Sequence, residues 1–395
     1  MESFDCLIIG GGIAGTTAAE TYRRNNPEAT ILILNKEPEL LYSRVLLFQL
    51  LKHEVTEQQV FMRKEQEYLD KNIQIRTGIT VTKIDTNSKI VTTDKGEIGY
   101  QKLLIASGGV PRKLGVVGED LNGIFYWRSI YDSRQIDSYV AGKKTAGVVG
   151  GGFIGLELVQ AFIKFGLETY FFILEDWFWQ NMLGEESGKL LDQVLSRNGV
   201  KMLYNVSVDH FEGEGRLERS VLKNGQSIAT DLCGIGIGIV PETEFVGEEI
   251  KKNKGKIVTD EFLKTSVPDV WAAGDITEFW DTNLKMPVNY GTWVNASEQG
   301  RIAGENMSGN VKAFKLIAAY SAPVFDANLT TVGVVRRDLA QQIEVLGSAA
   351  EGSVAEVLIS DGKVLGATLV NAQAMRGKIT QMIESGEVFD KSKLV

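Results

Sequence analysis

The hydrophobic positions fall in short blocks, and the period within each block predicts the elements. Phe4 to Ile9 is apolar except for Asp5 and stops at Gly10, which reads as a buried strand. Thr16 to Asn25 has helical spacing, and Thr30 to Leu34 is a second buried strand of the same strand–helix–strand unit. A helical stretch is expected from Glu57 to Asp70. Residues 73 to 105 alternate apolar and polar, with turn signals at Asn87-Ser88 and Asp94-Lys95-Gly96, so a small antiparallel insertion is expected there. A similar grammar then returns: strand Thr145 to Val149, helix Gly155 to Phe165, strand Thr169 to Leu174, helix Ser187 to Arg197 and strand Val200 to Tyr204. A hairpin-like region runs to about Ile228, and Asp231 to Val240 is apolar and glycine-rich before Pro241 ends it. Thr292 to Met307 has helical spacing, with Ala296, Ala303 and Gly304 at close-packing positions. From Val311 the pattern changes to short alternating strands (Glu344 to Leu346, Val354 to Ile359, Lys363 to Leu369) and a final helix, Ala374 to Glu387.

At 395 residues the chain is long enough for two or three domains, and 44% hydrophobic with 24% charged residues is ordinary for a globular protein. The formal net charge of −9 argues against non-specific nucleic-acid binding, which rests on neutralising phosphates with Lys and Arg. The two cysteines, Cys6 and Cys233, each sit inside an apolar strand-like run and are read as buried thiols, not as a disulfide or metal site. No basic leader precedes Phe4, and no apolar run reaches the roughly 18 residues of a membrane helix, so a cytoplasmic protein without an integral membrane segment is expected.

Chemistry enters at the two strand-to-helix turns. Gly10, Gly12 and Gly15 follow the first strand with the spacing of a nucleotide-binding turn: the first glycine makes the turn, the second lets the backbone approach a pyrophosphate, and the third lets the helix pack on the strand. The N–H groups of the first helical turn, around Ile13 and Ala14, then face the phosphates. An acid about 20 positions on would take ribose hydroxyls; Glu37 is the first choice and Asn35 the substitute. Gly150, Gly152 and Gly155 repeat the design before Glu157. Two such turns in one chain most simply bind two dinucleotides. Near the end of the paired core, Ala272-Ala273-Gly274-Asp275 is a strand ending in a carboxylate that can reach the hydroxyls of a ribityl chain. The helix after it, from Thr292, would aim its positive dipole end at the pyrimidine edge of a flavin.

These motifs, together with Ile105-Ala106-Ser107-Gly108-Gly109 and in this order, resemble the pyridine nucleotide-disulfide oxidoreductase superfamily over essentially the whole chain. Tyr42-Ser43-Arg44 and the short C-terminal region resemble the branch of rubredoxin reductases, ferredoxin reductases, NADH oxidases and the flavin part of nitrite reductases. The resemblance implies an α/β fold of two doubly wound dinucleotide-binding domains, one inserted in the other, plus a small C-terminal α+β interface domain. The expected boundaries are 1–110 and 236–311 for an FAD domain, 111–235 for an NAD(P)H domain and 312–395 for the C-terminal domain. FAD would be held by Gly10, Gly12, Ile13, Ala14, Gly15, Asn35, Lys36, Glu37, Arg44, Val81, Ala106, Ser107, Gly108, Gly274, Asp275 and Trp293. The nicotinamide nucleotide would be held by Gly150, Gly152, Phe153, Ile154, Gly155, Glu157 and Glu175, with Arg44 and Glu157 nearest the chemistry.

Departures from the family pattern narrow the reading. The loop Glu39 to Gln49 has no redox cysteine, which excludes disulfide chemistry. The lysine that relatives place after the flavin-proximal arginine aligns with Gln49, so its pair with Glu157 is expected to be incomplete. Ile173 stands where NADH-preferring relatives end the second strand with an acid, leaving Glu175 and Asp176 as substitutes; no arginine nearby offers a 2′-phosphate partner, so NADH is favoured over NADPH. Trp177-Phe178-Trp179 could stack an adenine, face a partner or be buried. His53 and His210 are read as bland. The expected activity is transfer of electrons from NADH through FAD to a small iron–sulfur or rubredoxin-type carrier. Dioxygen as acceptor, a flavin subunit of a larger redox complex and a non-catalytic FAD protein are the competing readings, and a homodimer is an open assembly.

Overall fold

Phe4, Cys6, Leu7, Ile8 and Ile9 are all buried, and a strand buried on both faces must lie inside a sheet. In the computed structural model, which describes residues 1–282 and 284–394, β1 (Glu2–Ile9) leads through α1 (Ile13–Asn25) to β2 (Ile31–Asn35). Four more strands follow: β3 (Gln74–Thr77), β4 (Val81–Asp85), β5 (Ile90–Thr93) and β6 (Gly96–Ile105). They form one sheet in the order β3-β2-β1-β6-β5-β4, with the strand Val270–Ala272 also paired to β6. β1 is parallel to both neighbours, Ile8 standing opposite Ile33 and Leu104.

The alternating stretch at 73–105 is therefore not a separate insertion. β6 is long enough to pair antiparallel with β5 at its start and parallel with β1 along its length, so the hairpin extends the main sheet. The helix expected over Glu57 to Asp70 is two short helices, Glu57–Val60 and Glu65–Asp70, because Phe61 is extended and bridges to Tyr42. On the sheet, α1 packs against the helix Trp293–Met307 at glycine distance: a Cβ on Gly300 would lie 2.2 Å from the Ala14 carbonyl oxygen. These elements belong to one compact unit, Met1–Leu46, Val55–Val110 and Ile239–Leu316.

The second unit comprises Leu47–Glu54, Pro111–Gly238 and Ile317–Val395. Its parallel sheet is built from β7 (Ile124–Tyr126), β8 (Thr145–Val149), β9 (Glu168–Phe172), β10 (Val200–Leu203) and β11 (Leu232–Ile235), in the order β10-β9-β8-β11-β7. Helices α2 (Phe153–Lys164) and α3 (Glu185–Arg197) connect its strands. The same unit holds an antiparallel sheet of β12 (Ala319–Val324), β13 (Ala327–Gly333), β14 (Gln342–Ser348), β15 (Ser353–Ser360) and β16 (Lys363–Val370). β12 and β13 were not expected; Pro323, which has no N–H to give to a ladder, falls inside Ala319–Val324. Helix α4 (Arg376–Ser385) covers this sheet with Ile379 and Met382 and ends at Gly386, whose φ of 61° stops the helix.

The C-terminal sheet and the parallel fold share a unit through a buried charge. Glu356 on β15 is 1% exposed, and its two carboxylate oxygens share the single backbone N–H of Gly184, at 3.0 and 2.8 Å, at the start of α3. It also accepts from the Ser187 hydroxyl and pairs with Arg337. A buried carboxylate is tolerable where a helix N-terminus, a hydroxyl and a guanidinium all satisfy it.

Candidate functional site

The two glycine turns are built alike, and each glycine has a distinct physical reason. Gly10 has φ +112° and lies so close to the end of β6 that a Cβ would sit 2.2 Å from the Ala106 carbonyl oxygen. Gly150 has φ +104° and meets the Gly236 carbonyl oxygen in the same way, at 2.5 Å. A Cβ on Gly15 or Gly155 would fall 1.9 Å from the carbonyl oxygen of Gly10 or Gly150, so only glycine lets α1 and α2 sit down on their turns. Gly12 and Gly152 differ: nothing lies within 4 Å of a Cβ placed on either. Both are extended N-caps whose helices begin at Ile13 and Phe153 without a side-chain cap. Each turn thus offers a bare backbone surface and first-turn N–H groups, the donor set that holds a pyrophosphate.

Around the first turn the expected residues gather within the first unit. Asn35 ends β2 and accepts the Gly11 N–H at 3.2 Å, while its amide donates to the carbonyls of Glu37 and Glu39. The Glu37 carboxylate pairs with Arg44 and accepts the Tyr42 hydroxyl at 2.6 Å; Arg44 in turn donates to Tyr42 at 2.9 Å. Burial works against the Arg44 charge, but Glu37, Tyr42 and Asp275 outweigh it and hold the guanidinium more firmly protonated than usual. Lys36 is exposed and pairs with Glu242 at 2.5 Å, and the Ser107 hydroxyl donates to the Glu242 carbonyl at 3.4 Å. Gly274, at φ +87°, donates its N–H to Gln299 at 2.7 Å, which seats the Ala272–Asp275 turn on the Trp293–Met307 helix. Thr292 caps that helix by accepting the Asn295 N–H, and Trp293, its first residue, is half-buried. Val81 lies on β4, paired with Thr93.

The second turn lies in the second unit. The charge of Lys52, one helical turn beyond Gln49, acts on Glu157 of α2, though no ion pair joins the two among the described residues. Burial pushes the Glu157 carboxyl up to about 8, with the Lys52 charge opposing the shift. Lys52 also pairs with Glu54 at 2.8 Å and lies 4.3 Å over the Phe48 ring. The short helix Leu47–Leu51 thus carries Gln49 and, at its exit, the lysine whose charge acts on Glu157.

Of the aromatic run, for which burial was one of the open readings, Phe178 is buried and Trp177 and Trp179 are half-buried. Phe178 is fully buried and packs on Phe171, and Trp177 donates its indole N–H to the Leu183 carbonyl at 3.0 Å. Ile173 is fully buried because β9 ends at Phe172, so Glu175 and Asp176 stand on the loop beyond the strand. Glu175 is half-buried and accepts a long bond from Asn181, 3.4 Å. Phe153 opens α2 with its ring edge-on to Trp179, 4.5 Å away, and to Tyr320, 4.6 Å away. Burial raises the Tyr320 hydroxyl, and the nearby Glu157 charge raises it further. Ile154 is 38% exposed. Lys52 and Tyr320 escaped the sequence reading because they come from segments far from the glycine turn.

The family model for pyridine nucleotide-disulphide oxidoreductases matches residues 4–300. The chain belongs to this family. It is 28% identical to apoptosis-inducing factor 3 of Mus musculus over all of this chain and 65% of that protein, so it spans less than two thirds of that relative. It is 29% identical to an NADH-rubredoxin oxidoreductase of Clostridium acetobutylicum, covering 99% of this chain and 97% of the relative. The crystal structure of the covalent putidaredoxin reductase–putidaredoxin complex has the same fold, with a TM-score of 0.93 at 23% identity over 100% of this chain and 95% of that one. FAD and a nicotinamide nucleotide are the cofactors of this family, and the open backbone at Gly12 and Gly152 fits one dinucleotide on each turn. Among the described residues no helix is long and apolar enough to cross a membrane.

Proposed function

We propose that this chain passes electrons from NADH, through FAD, to a small iron–sulfur or rubredoxin-type carrier protein. The observation that carries the reading is the duplicated glycine turn with open space at its second glycine in both folds. Two cradles in one chain suit a donor dinucleotide and a resident one. FAD, when bound, supplies the conversion between a two-electron donor and one-electron acceptors. The protein's part is binding, orientation and charge.

In this reading the first turn, Ala106 to Gly108, Asp275 and Trp293 hold the flavin, and Asn35, Lys36 and Glu37 line its adenosine side. Arg44 is a fixed positive charge in the same unit, kept protonated by Glu37 and Asp275. The second turn, Phe153, Ile154 and Glu175 hold NADH. Glu157 carries its proton at neutral pH, so the site presents a hydrogen-bond donor and the Lys52 charge, without a carboxylate to repel the nucleotide. No thiol takes part, because Cys6 and Cys233 are both 0% exposed and burial raises both thiols well above their ordinary range. A rubredoxin-type acceptor agrees with the name of the Clostridium relative, and an iron–sulfur one with the putidaredoxin complex. A cytoplasmic setting is part of the proposal, supported by two unpaired buried thiols.

The test is an anaerobic titration of the purified flavoprotein with NADH and, separately, NADPH, followed by addition of a rubredoxin or a [2Fe–2S] ferredoxin. Stoichiometric bleaching by NADH and rapid reoxidation by the carrier are expected. Bleaching followed by equally fast reoxidation with dioxygen alone would assign the acceptor role to oxygen instead.

A further inference from the structure

Two neighbouring residues of the helix Trp293–Met307 hold two different elements of the first unit. Gly300 seats α1: a Cβ there would lie 2.2 Å from the Ala14 carbonyl oxygen, so the two helix backbones touch beside the first turn of α1. Gln299, the residue before it, holds the Ala272–Asp275 turn. Its Oε1 accepts the Gly274 N–H at 2.7 Å, and the Thr277 hydroxyl lies 3.1 Å from the same oxygen and 2.9 Å from the Gly274 carbonyl oxygen. A backbone N–H can only donate, so this contact fixes which end of the Gln299 amide faces the turn. Gly274 has φ +87°, and a Cβ on it would lie 3.3 Å from the Ala14 Cβ and 3.8 Å from the Ala296 Cβ. The turn therefore rests on the start of α1 as well as on the helix that carries Gln299. Asn289 also holds it, donating to the carbonyls of Asp275 and Thr277 at 3.2 and 2.5 Å.

Gln299 is fully buried, and its Nε2 has no hydrogen-bond partner among the described residues. Burying an unpaired amide group works against stability, so what Gln299 contributes is its oxygen at Gly274. Through that oxygen it sets the place of Asp275, the next residue. We propose that Gln299 is a positioning residue for FAD, fixing the distance between the Asp275 carboxylate, which takes the ribityl hydroxyls, and the first turn of α1, which takes the pyrophosphate. This rests on the flavin reading of the first unit. One dinucleotide touches both elements at once, so its affinity depends on their spacing being set before it binds. Without the Gln299 oxygen the Gly274 N–H is buried with no acceptor, and the turn relaxes away from the spacing FAD needs.

The test compares the holoprotein with three variants. Gln299→Met keeps the side-chain length and removes both the acceptor and the unpaired amide; Gln299→Glu restores an acceptor oxygen at Gly274; Asp275→Asn probes the turn itself. FAD release is followed by filtration after dilution, and the visible circular dichroism is recorded on the flavin still bound. Gln299→Met should release FAD about tenfold faster, the order expected for one buried hydrogen bond, with an altered dichroism of the bound flavin, and Gln299→Glu should recover both. Release at the wild-type rate with unchanged dichroism in Gln299→Met, while Asp275→Asn releases FAD faster, overturns the positioning role and leaves the flavin reading standing. If Asp275→Asn also releases FAD at the wild-type rate, the flavin reading of this turn fails and takes the positioning role with it. Should Gln299→Met not fold, Thr277→Val decides: it removes the hydroxyl shared between Gln299 and Gly274, should speed release about threefold, and overturns the proposal if it leaves the rate unchanged.

Discussion

Single residues in this chain separate structural necessity from ligand binding, and the glycines show it best. A Cβ at Gly15 or Gly155 lands on a backbone carbonyl 1.9 Å away, whereas one at Gly12 or Gly152 meets nothing within 4 Å. Gly12→Ala should therefore fold normally and lose about tenfold or more in FAD affinity, because the added methyl fills the space a pyrophosphate needs. Gly152→Ala should keep its flavin and lose NADH affinity by a similar factor. Gly155→Ala should be unstable with or without ligand. Flavin content after desalting and thermal melts of the three variants check this. Glu157 carries the pH prediction. Its folded carboxyl is pushed up to about 8 from an ordinary 4.5, so the folded protein holds this proton more tightly than the unfolded chain. That preference is complete below pH 4.5 and is lost as pH rises through 8. Between pH 5 and 9 the unfolding free energy of the wild type, read from urea melts, should fall relative to Glu157→Gln, by on the order of 1–3 kcal/mol after relaxation. A difference that stays flat would show Glu157 ionised in the folded protein.

At the scale of elements, the parallel sheets and their helices were legible, because continuous apolar runs and glycine turns are local signals. β1, β2 and β8 lie where the runs predicted, within a residue or two. The Glu57–Asp70 helix broke because Phe61 pairs with Tyr42, and the hairpin at 73–105 joined the main sheet because β6 found β1. Both were decided by partners elsewhere in the chain. β12 was missed because Pro323 inside it argues against a strand on sequence alone. Glu356 is the element-scale test, since it joins β15 to the start of α3 through the Gly184 N–H, Ser187 and Arg337. Glu356→Ala should cost about 3–5 kcal/mol by leaving the Arg337 guanidinium and the start of α3 without their buried acceptor, read as a lower urea midpoint. The visible spectrum of bound flavin should stay unchanged. A near-neutral result would show that water replaces the carboxylate.

For the whole molecule, composition excluded more than it assigned. A net charge of −9 and two scattered cysteines argue against a nucleic-acid binder and against a disulfide framework, while the order of the four motifs identified the family. The thiols supply a global test. Neither Cys6 nor Cys233 should react with a thiol reagent in the native protein, both should react in guanidinium, and NADH turnover should survive prolonged alkylation. Loss of turnover on native alkylation would bring cysteine chemistry back. What the sequence by itself determined was the pair of backbone cradles, because the glycine spacing is written within six residues of chain directly after an apolar strand. What only the tertiary structure decided was the surroundings of the second cradle. Lys52, Glu157, Trp179 and Tyr320 come from four separate segments, and burial, which raises the Glu157 carboxyl and sets Trp179 against Phe153, exists only once those segments have packed.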